Sequence, residues 1–297
     1  MLSPPDLDAL KELTADLTGE SRTSDWTLLD EGFGSVVYEV RGWIVRVARN
    51  SDSEAGHQLE VRLIPAIASR LPVPTRSDLV LIAAGDRLPF GAVAYRALPG
   101  RAMRREDGMH TPALAVEVAD VLAAMHGVPV PEAESLGVPR VDPLAELAAK
   151  REETEAFLEH ALEPSLVKTL TAWWEHTVEK PLSFALVLCH GDPWYGNLLV
   201  DPDGLHLAGI LDFEGAVVSD PAVDLAAAFH LGRDFGEAAV RRYVALRGAD
   251  AALSTRVERH RLLRELSGLA YVLRHDWKEE VDDALSKIRS VLVDQPA

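Results

Sequence analysis

Leu7, Leu10, Leu13 and Leu17 recur at three- and four-residue intervals, which predicts an amphipathic helix over residues 4–20. From Trp26 the period shortens to two. The run TLLDEGFGSVVYEV predicts strand, glycine turn and strand, and RGWIVRVAR a further strand with alternating apolar positions. Leu59, Leu63 and Ile67 restore helical spacing over 54–70. A proline-punctuated loop, LPVPT, then leads to two more strand runs, DLVLIAAG and PFGAVAYRAL. The turn LPGR at 98–101 closes this strand-rich stretch. Beyond it helical spacing dominates. Thr111 is placed to cap a helix with Pro112 at its first position and Gly127 past its end. Longer helical stretches cover 142–179, broken at Pro164, and 254–293. The expected architecture is α+β and bilobal. A small β-rich lobe with one internal helix covers 1–97, a larger, mainly helical lobe covers 98–297, and a cleft lies at the junction.

Composition narrows the class. With 297 residues, 47% hydrophobic and 26% charged, the chain can bury a sizeable core. Thirty Lys and Arg face 47 Asp and Glu, and the net charge of −17 repels a phosphate backbone, so no nucleic-acid partner is expected. The single cysteine, Cys189, excludes an internal disulfide and any cysteine-based zinc or iron–sulfur site. No apolar run approaches the roughly 18 residues of a membrane span. The N-terminal MLSPPDLDALKEL lacks a basic start followed by an apolar stretch. The expectation is a cytoplasmic protein with no membrane partner; the sequence leaves its oligomeric state open.

Candidate chemistry concentrates in residues 186–225. NLLV and LHLAGIL are apolar strands joined by Asp201-Pro202-Asp203-Gly204, a strong turn signal. Pairing Val200 with Leu205 across that turn sets Asp212 opposite Pro193, next to Asp192. Asn197 joins them if 192–197 forms a compact loop. Three oxygen-bearing side chains gathered this way suit a hard divalent cation, Mg²⁺, beside substrate phosphates. The interval from Asp192 to Asn197, followed by Asp212-Phe213-Glu214-Gly215, matches the order of a kinase catalytic loop and its metal-holding segment. On that reading Asp192 accepts or orients a hydroxyl proton, while Asn197 and Asp212 hold the metal. Taken singly, Asp192 is an ordinary turn residue and Asp212 an ordinary strand end. Only the combination is specific. Asp220 followed by Pro221 signals a helix start, with Asp224 in its first turn. Cys189 is expected buried and His206 at the surface.

The set His190-Gly191-Asp192, Asn197, Asp212-Phe213, Asp220-Pro221 and Asp224 resembles the aminoglycoside phosphotransferase family, which shares the protein-kinase-like fold. The resemblance implies transfer of the γ-phosphoryl group of ATP or GTP to a hydroxyl of a small molecule, aminoglycosides and macrolides being the best-known acceptors. It implies that His190 shapes the loop by hydrogen bonding and that Asp224 braces it. It places Glu31-Gly32-Phe33-Gly34-Ser35 over the phosphates, with Gly32, Gly34 and Ser35 as nucleotide contacts, although Val37 stands where a third glycine is usual. Arg46 stands where a phosphate-binding lysine is usual, with Glu60 as its acidic partner. Arginine keeps the charge but is planar; it either clamps phosphate through two hydrogen bonds or pairs only with Glu60. Residues 94–98, including Tyr95 and Ala97, fall at the hinge, whose backbone would meet the purine without separating ATP from GTP.

The acceptor side is less sharply written. Asp276, Glu280 and Asp283 share one helix face and, with Glu279 and Asp282, would receive a cationic polyamine; a solvated charged face has the same pattern. Trp277 and Tyr271 would instead floor a more apolar pocket suited to a macrolide. A metabolic kinase for choline, a sugar or an amino alcohol is a further reading, and a nucleotide-binding regulator without transfer is another. No Ala-Pro-Glu segment follows Asp212, and the span to the next helix is short, which disfavours a protein kinase.

Overall fold

The computed structural model describes residues 7–18, 26–32, 34–178, 184–248, 250, 252–275 and 277–293. Helix α1 (Leu7–Thr18) precedes a sheet of β1 (Thr27–Glu31), β2 (Ser35–Val40), β3 (Trp43–Ala48), β4 (Val80–Ile82) and β5 (Ala92–Arg96). All neighbours are antiparallel in the order β1-β2-β3-β5-β4. The period-two runs therefore became strands where expected. Ala9 and Leu10 of α1 join Val40, Trp43, Val45, Val47 and Ala92 in one apolar cluster. Leu13, expected on the same stripe, faces solvent; the buried stripe continues through Thr14, whose hydroxyl donates to Leu10 O.

Between β3 and β4 lies α2 (Ser51–Ile67), capped by Asn50, whose side chain accepts from Ser53 N at 2.9 Å. Its Leu59, Leu63, Ile64 and Ile67 do not serve the small lobe alone. They are buried in the same cluster as Leu122, Met125, Leu188, Phe213 and Leu225 of the second lobe. Each fully buried Leu or Ile contributes about 2 kcal/mol, so α2 fastens one lobe to the other. Arg62 adds a hydrogen bond to Leu136 O at 3.0 Å.

The second lobe begins with β6 (Arg101–Ala102), α3 (Arg105–His110), α4 (Leu114–Met125) and α5 (Val130–Ser135). Its remaining helices are α6 (Pro143–Ala161), α7 (Pro164–Val178), α8 (Ala222–Ala227), α9 (Arg233–Arg247), α10 (Leu253–Arg274) and α11 (Lys278–Val293). Among them run β7 (Val187–Cys189), β8 (Leu198–Val200), β9 (Leu207–Ile210) and β10 (Val217–Ser219). β7 pairs with β10, and β6, β8 and β9 form a three-stranded sheet in the order β6-β8-β9. A second core gathers Leu166, Leu170, Trp174, Leu262, Leu266 and Ile288 from α7, α10 and α11. No helix of the described residues is long and apolar enough to cross a membrane.

Two local expectations are corrected. α4 starts at Leu114, not at Pro112, because Leu114 N and Ala115 N donate to Thr111 O and Pro112 O in a tighter turn that precedes the helix. The β8–β9 register also differs. Leu198 pairs with Ile210, Leu199 with Gly209 and Val200 with Leu207, with a bulge between Leu199 and Val200. The cause is Asp201, whose carboxylate accepts from Leu205 N at 2.7 Å and His206 N at 3.3 Å and so lengthens the turn. Asp212 consequently arrives beside Asn197, where Leu211 N donates to Asn197 O at 2.9 Å, rather than opposite Pro193.

Candidate functional site

The loop 190–197 is held from below by one buried carboxylate. Asp224, with no exposed surface, accepts from His190 N at 2.7 Å and Gly191 N at 2.9 Å. Its Oδ2 also meets His126 Nε2 at 3.0 Å, and His126 Nδ1 meets the Tyr243 hydroxyl at 2.9 Å. Burial opposes the Asp224 charge, but His126 and the loop N–H groups outweigh it and hold the carboxyl below its usual range. Cys189 joins His126 and Asp224 within 4.8 Å, yet their polar atoms are already engaged, and burial pushes its thiol up. The cluster is a brace.

His190 Nε2 donates to Leu211 O at 2.9 Å, which leaves Nδ1 to accept from Asp192 N at 3.3 Å. Both nitrogens are spent on shaping the loop. Gly191 has φ +88°, and a Cβ there would lie 2.0 Å from Gly215 O, so the two loops touch backbone to backbone. Asn197 Nδ2 donates to Asp192 O at 2.9 Å, which closes the loop and leaves the amide oxygen out of that bond. The Asp192 side chain is about half exposed, at 52%.

Asp212 sits at φ +68°, a left-handed conformation Asp tolerates better than most residues. Its Oδ1 lies 3.2 Å from Arg46 Nη2, and Arg46 Nη1 lies 3.2 Å from Glu60 Oε2. Arg46 also pairs with Glu214, whose Oε1 lies 3.1 Å from His57 Nε2. Glu60 is fully buried and accepts from Arg76 at 2.9 Å and from Phe213 N at 2.8 Å. Burial alone would pull the Arg46 proton affinity down, but Glu60, then Asp212 and Glu214, hold it above the ordinary arginine range. Burial likewise opposes the Asp212 charge, and Arg46 with Arg76 outweighs it, keeping the carboxyl low. Three carboxylates thus face two guanidinium groups, an excess of negative charge that a divalent cation would relieve. The expected Arg46–Glu60 pair is present. Arg76 and Glu214 carried no signal of their own in the sequence, because Arg76 lies in an aperiodic loop and Glu214 only gains meaning from its neighbour Asp212.

The glycine turn and the hinge are bonded differently from expectation. Gly32 N donates to Ser35 O at 3.0 Å, and Arg49 N to Gly34 O at 2.9 Å, so that N–H closes the turn itself. Ser35 is buried with Oγ 3.4 Å from His57 Nε2, and a Cβ at Gly34 would strike Ser53 Oγ at 2.6 Å. Phe33 lies outside the described residues. Ala97 N donates to Gly42 O at 2.9 Å, so the hinge can offer a purine carbonyl oxygen but not that N–H. Tyr95 is buried beneath the Arg76 guanidinium, 4.2 Å from the ring centre, and its side chain supports Arg76.

On the helical lobe a cavity of about 460 Å³ opens beside the 190–197 loop. Trp194, Tyr195 and Phe229 give it an aromatic wall. Asp283 lines it but is tied to Lys287. Glu280 is exposed and lies outside the lining, and Asp276 lies outside the described residues. The expected acidic face on α11 is therefore not gathered at this cavity. Nothing local in the sequence pointed to Arg264, whose Nη2 lies 2.8 Å from Asp192 Oδ1.

The family model of the phosphotransferase enzyme family (APH) matches residues 25–263. Among curated proteins no sequence match is found. The GDP complex of wild-type aminoglycoside 2'-phosphotransferase-IIIa superposes with a TM-score of 0.82 at 22% identity, covering 96% of this chain and 98% of that one. Macrolide 2'-phosphotransferase MphH from Brachybacterium faecium gives 0.71 at 22% identity, with 95% and 98% covered. The gentamicin complex of APH(2")-IIa gives 0.72 at 16% identity, with 96% of each chain covered. A kinase-like α+β fold with a β-sheet lobe and a helical lobe is shared throughout. The chain belongs to the APH phosphotransferase enzyme family.

Proposed function

We propose that this protein moves the γ-phosphoryl group of a nucleoside triphosphate, ATP or GTP, to a hydroxyl of a small molecule in the cytoplasm. In this reading residues 1–97 are the nucleotide lobe and 98–297 carry the catalytic loop and acceptor site. Asp192 orients or deprotonates the acceptor hydroxyl. Asn197 and Asp212 would hold Mg²⁺, and the Asn197 amide oxygen, which is not used in the bond to Asp192 O, with the partly exposed Asp212 carboxylate is a fitting oxygen donor set. When bound, the metal supplies charge neutralisation at the phosphates. Arg46 balances Glu60, Asp212 and Glu214 and keeps them in register with the donor.

The observation that carries the reading is the bond between the two loops. Leu211 N on Asn197 O, at 2.9 Å, fixes Asp212 beside the Asp192–Asn197 loop. The acceptor is open to choice among hydroxylated small molecules. Aminoglycosides and macrolides enter because the relatives in fold are complexes or enzymes of those compounds. A polyamine acceptor gains no support from α11, where Asp283 is already paired and Glu280 is off the cavity.

The test is transfer of labelled γ-phosphate from ATP and from GTP to a panel of kanamycin, a macrolide, choline, neutral sugars and sugar acids, with and without EDTA. Product that forms with Mg²⁺ and disappears with chelation is expected. Nucleotide-induced stabilisation with no product from any acceptor would move the assignment to a nucleotide-binding regulator.

A further inference from the structure

The acceptor side carries more positive charge than a chain of net charge −17 would suggest. Arg105, Arg261 and Lys287 line the cavity against only two carboxylates, Glu265 and Asp283. Both carboxylates are engaged, Glu265 with His230 at 3.3 Å and Asp283 with Lys287. Arg261 stacks on Phe229 and pairs with Glu258 at 2.6 Å. Among the described residues Arg105 has no carboxylate partner. An incoming ammonium group would find no unpaired carboxylate on this wall.

Arg264 lies between Arg261 and Glu265 on α10, and both of those line the cavity. Its Nη2 holds Asp192 Oδ1 at 2.8 Å, and Asp192 is two positions before Trp194 of the aromatic wall. Its Nε is buried and sealed from any ligand, whereas Nη1 is not buried and makes no hydrogen bond among the described residues. The guanidinium is therefore under-satisfied, and the one acceptor it does hold is the side chain required for the acceptor hydroxyl. A planar fork with an unfilled donor fits a two-oxygen acid.

Resting on the phosphotransferase reading, we propose that Arg264 is the anion-binding residue of the acceptor subsite, and that the acceptor carries a carboxylate or phosphate near the hydroxyl presented to Asp192. The acid of the acceptor takes the Arg264 donors, which frees Asp192 Oδ1 to accept from the hydroxyl. Arg105 adds positive potential on the wall, and Trp194, Tyr195 and Phe229 cover an apolar or ring-shaped body. A polycation meets Arg264 and Arg105 as like charges and leaves Asp192 tied. The same contact thus selects the acceptor and releases the base.

Three 4-nitrophenyl β-D-pyranosides test this: the glucuronide, the glucoside and the 2-amino-2-deoxyglucoside, which present negative, neutral and positive charge on one ring, with kanamycin as the polycation. Nucleotide-coupled turnover gives kcat and KM for each, and calorimetry with the Mg–ADP protein gives affinity. The glucuronide is expected to lead the glucoside by about tenfold in kcat/KM, through a lower KM and a higher kcat together, with the amino sugar and kanamycin last. Arg264→Gln brings the first two to parity, Arg264→Glu reverses the order, and Arg264→Lys, folded and charged, keeps the preference. A merely structural arginine would give no charge-dependent reversal. Transfer that favours kanamycin or the amino sugar, or an Arg264→Gln protein with unchanged selectivity, overturns the proposal while leaving the phosphotransferase reading intact. Absence of turnover with every compound counts against that parent reading instead, and the binding order then decides: tighter glucuronide supports the anion subsite, and equal or weaker binding overturns it.

Discussion

Arg46 reaches Asp212 at 3.2 Å, so a strand of the first lobe holds the end of the hairpin that carries the candidate metal ligands in the second. The planar guanidinium makes this possible, because Nη1 engages Glu60 while Nη2 engages Asp212. A lysine ammonium has no such fork.

Removal of that cation is expected to be costly. Arg46→Ala leaves the buried Glu60 with Arg76 alone and the partly exposed Asp212 and Glu214 without their guanidinium, and a loss of about 2–4 kcal/mol follows from the unbalanced charge. Urea unfolding measures it. Arg46→Lys should recover part of the stability while weakening the tie to Asp212.

Asp224 makes stability depend on acid. Its folded pKa lies below its unfolded value, so its contribution is complete above the unfolded carboxylate range, about pH 4, and is lost as pH falls through the folded value. Asp224→Asn should lower stability at neutral pH by about 2–4 kcal/mol and flatten the decline on acidification. Denaturant titrations from pH 7 to pH 3 on both proteins check the sign; an unchanged acid limb in the variant would show that other groups set it.

Gly191 is the tightest backbone approach at the site. With φ +88° and Gly215 O only 2.0 Å from a Cβ, Gly191→Ala must push the two loops apart. The expected result is a loss of about 2 kcal/mol or more, with phosphoryl transfer falling further than nucleotide affinity. Thermal unfolding and single-turnover assays on one preparation separate the effects.

The longer elements were legible in the sequence where local period or punctuation writes them, whereas α3, α5, α9, β6 and β10 were not read and the stretch 254–293 proved to be two helices, α10 and α11. The leucine spacing of α2, the interruption at Pro164 and the Asp201–Gly204 turn all appear where they were expected. Asp192, Asn197 and Asp212 were legible because a hairpin brings its own ends together in almost any register. The register itself was not, since it depends on the Asp201 carboxylate folding back onto Leu205 N and His206 N. Helix boundaries failed for the same reason at Thr111, where a tight turn preceded the helix. Arg264, Arg76 and His126 come to the site from distant elements, and no periodic pattern links them to Asp192, Glu60 or Asp224. The acidic positions on α11 show the converse. Their helical spacing was real, but spacing fixes a face and not what that face meets.

The central claim is tested most directly by single-turnover γ-phosphoryl transfer in Asp192→Ala beside the wild-type chain, with nucleotide affinity measured on both. A fall in transfer of about 10³-fold, with affinity for the Mg–nucleotide changed by no more than about threefold, is the predicted result. Wild-type transfer rates in the variant would contradict the account.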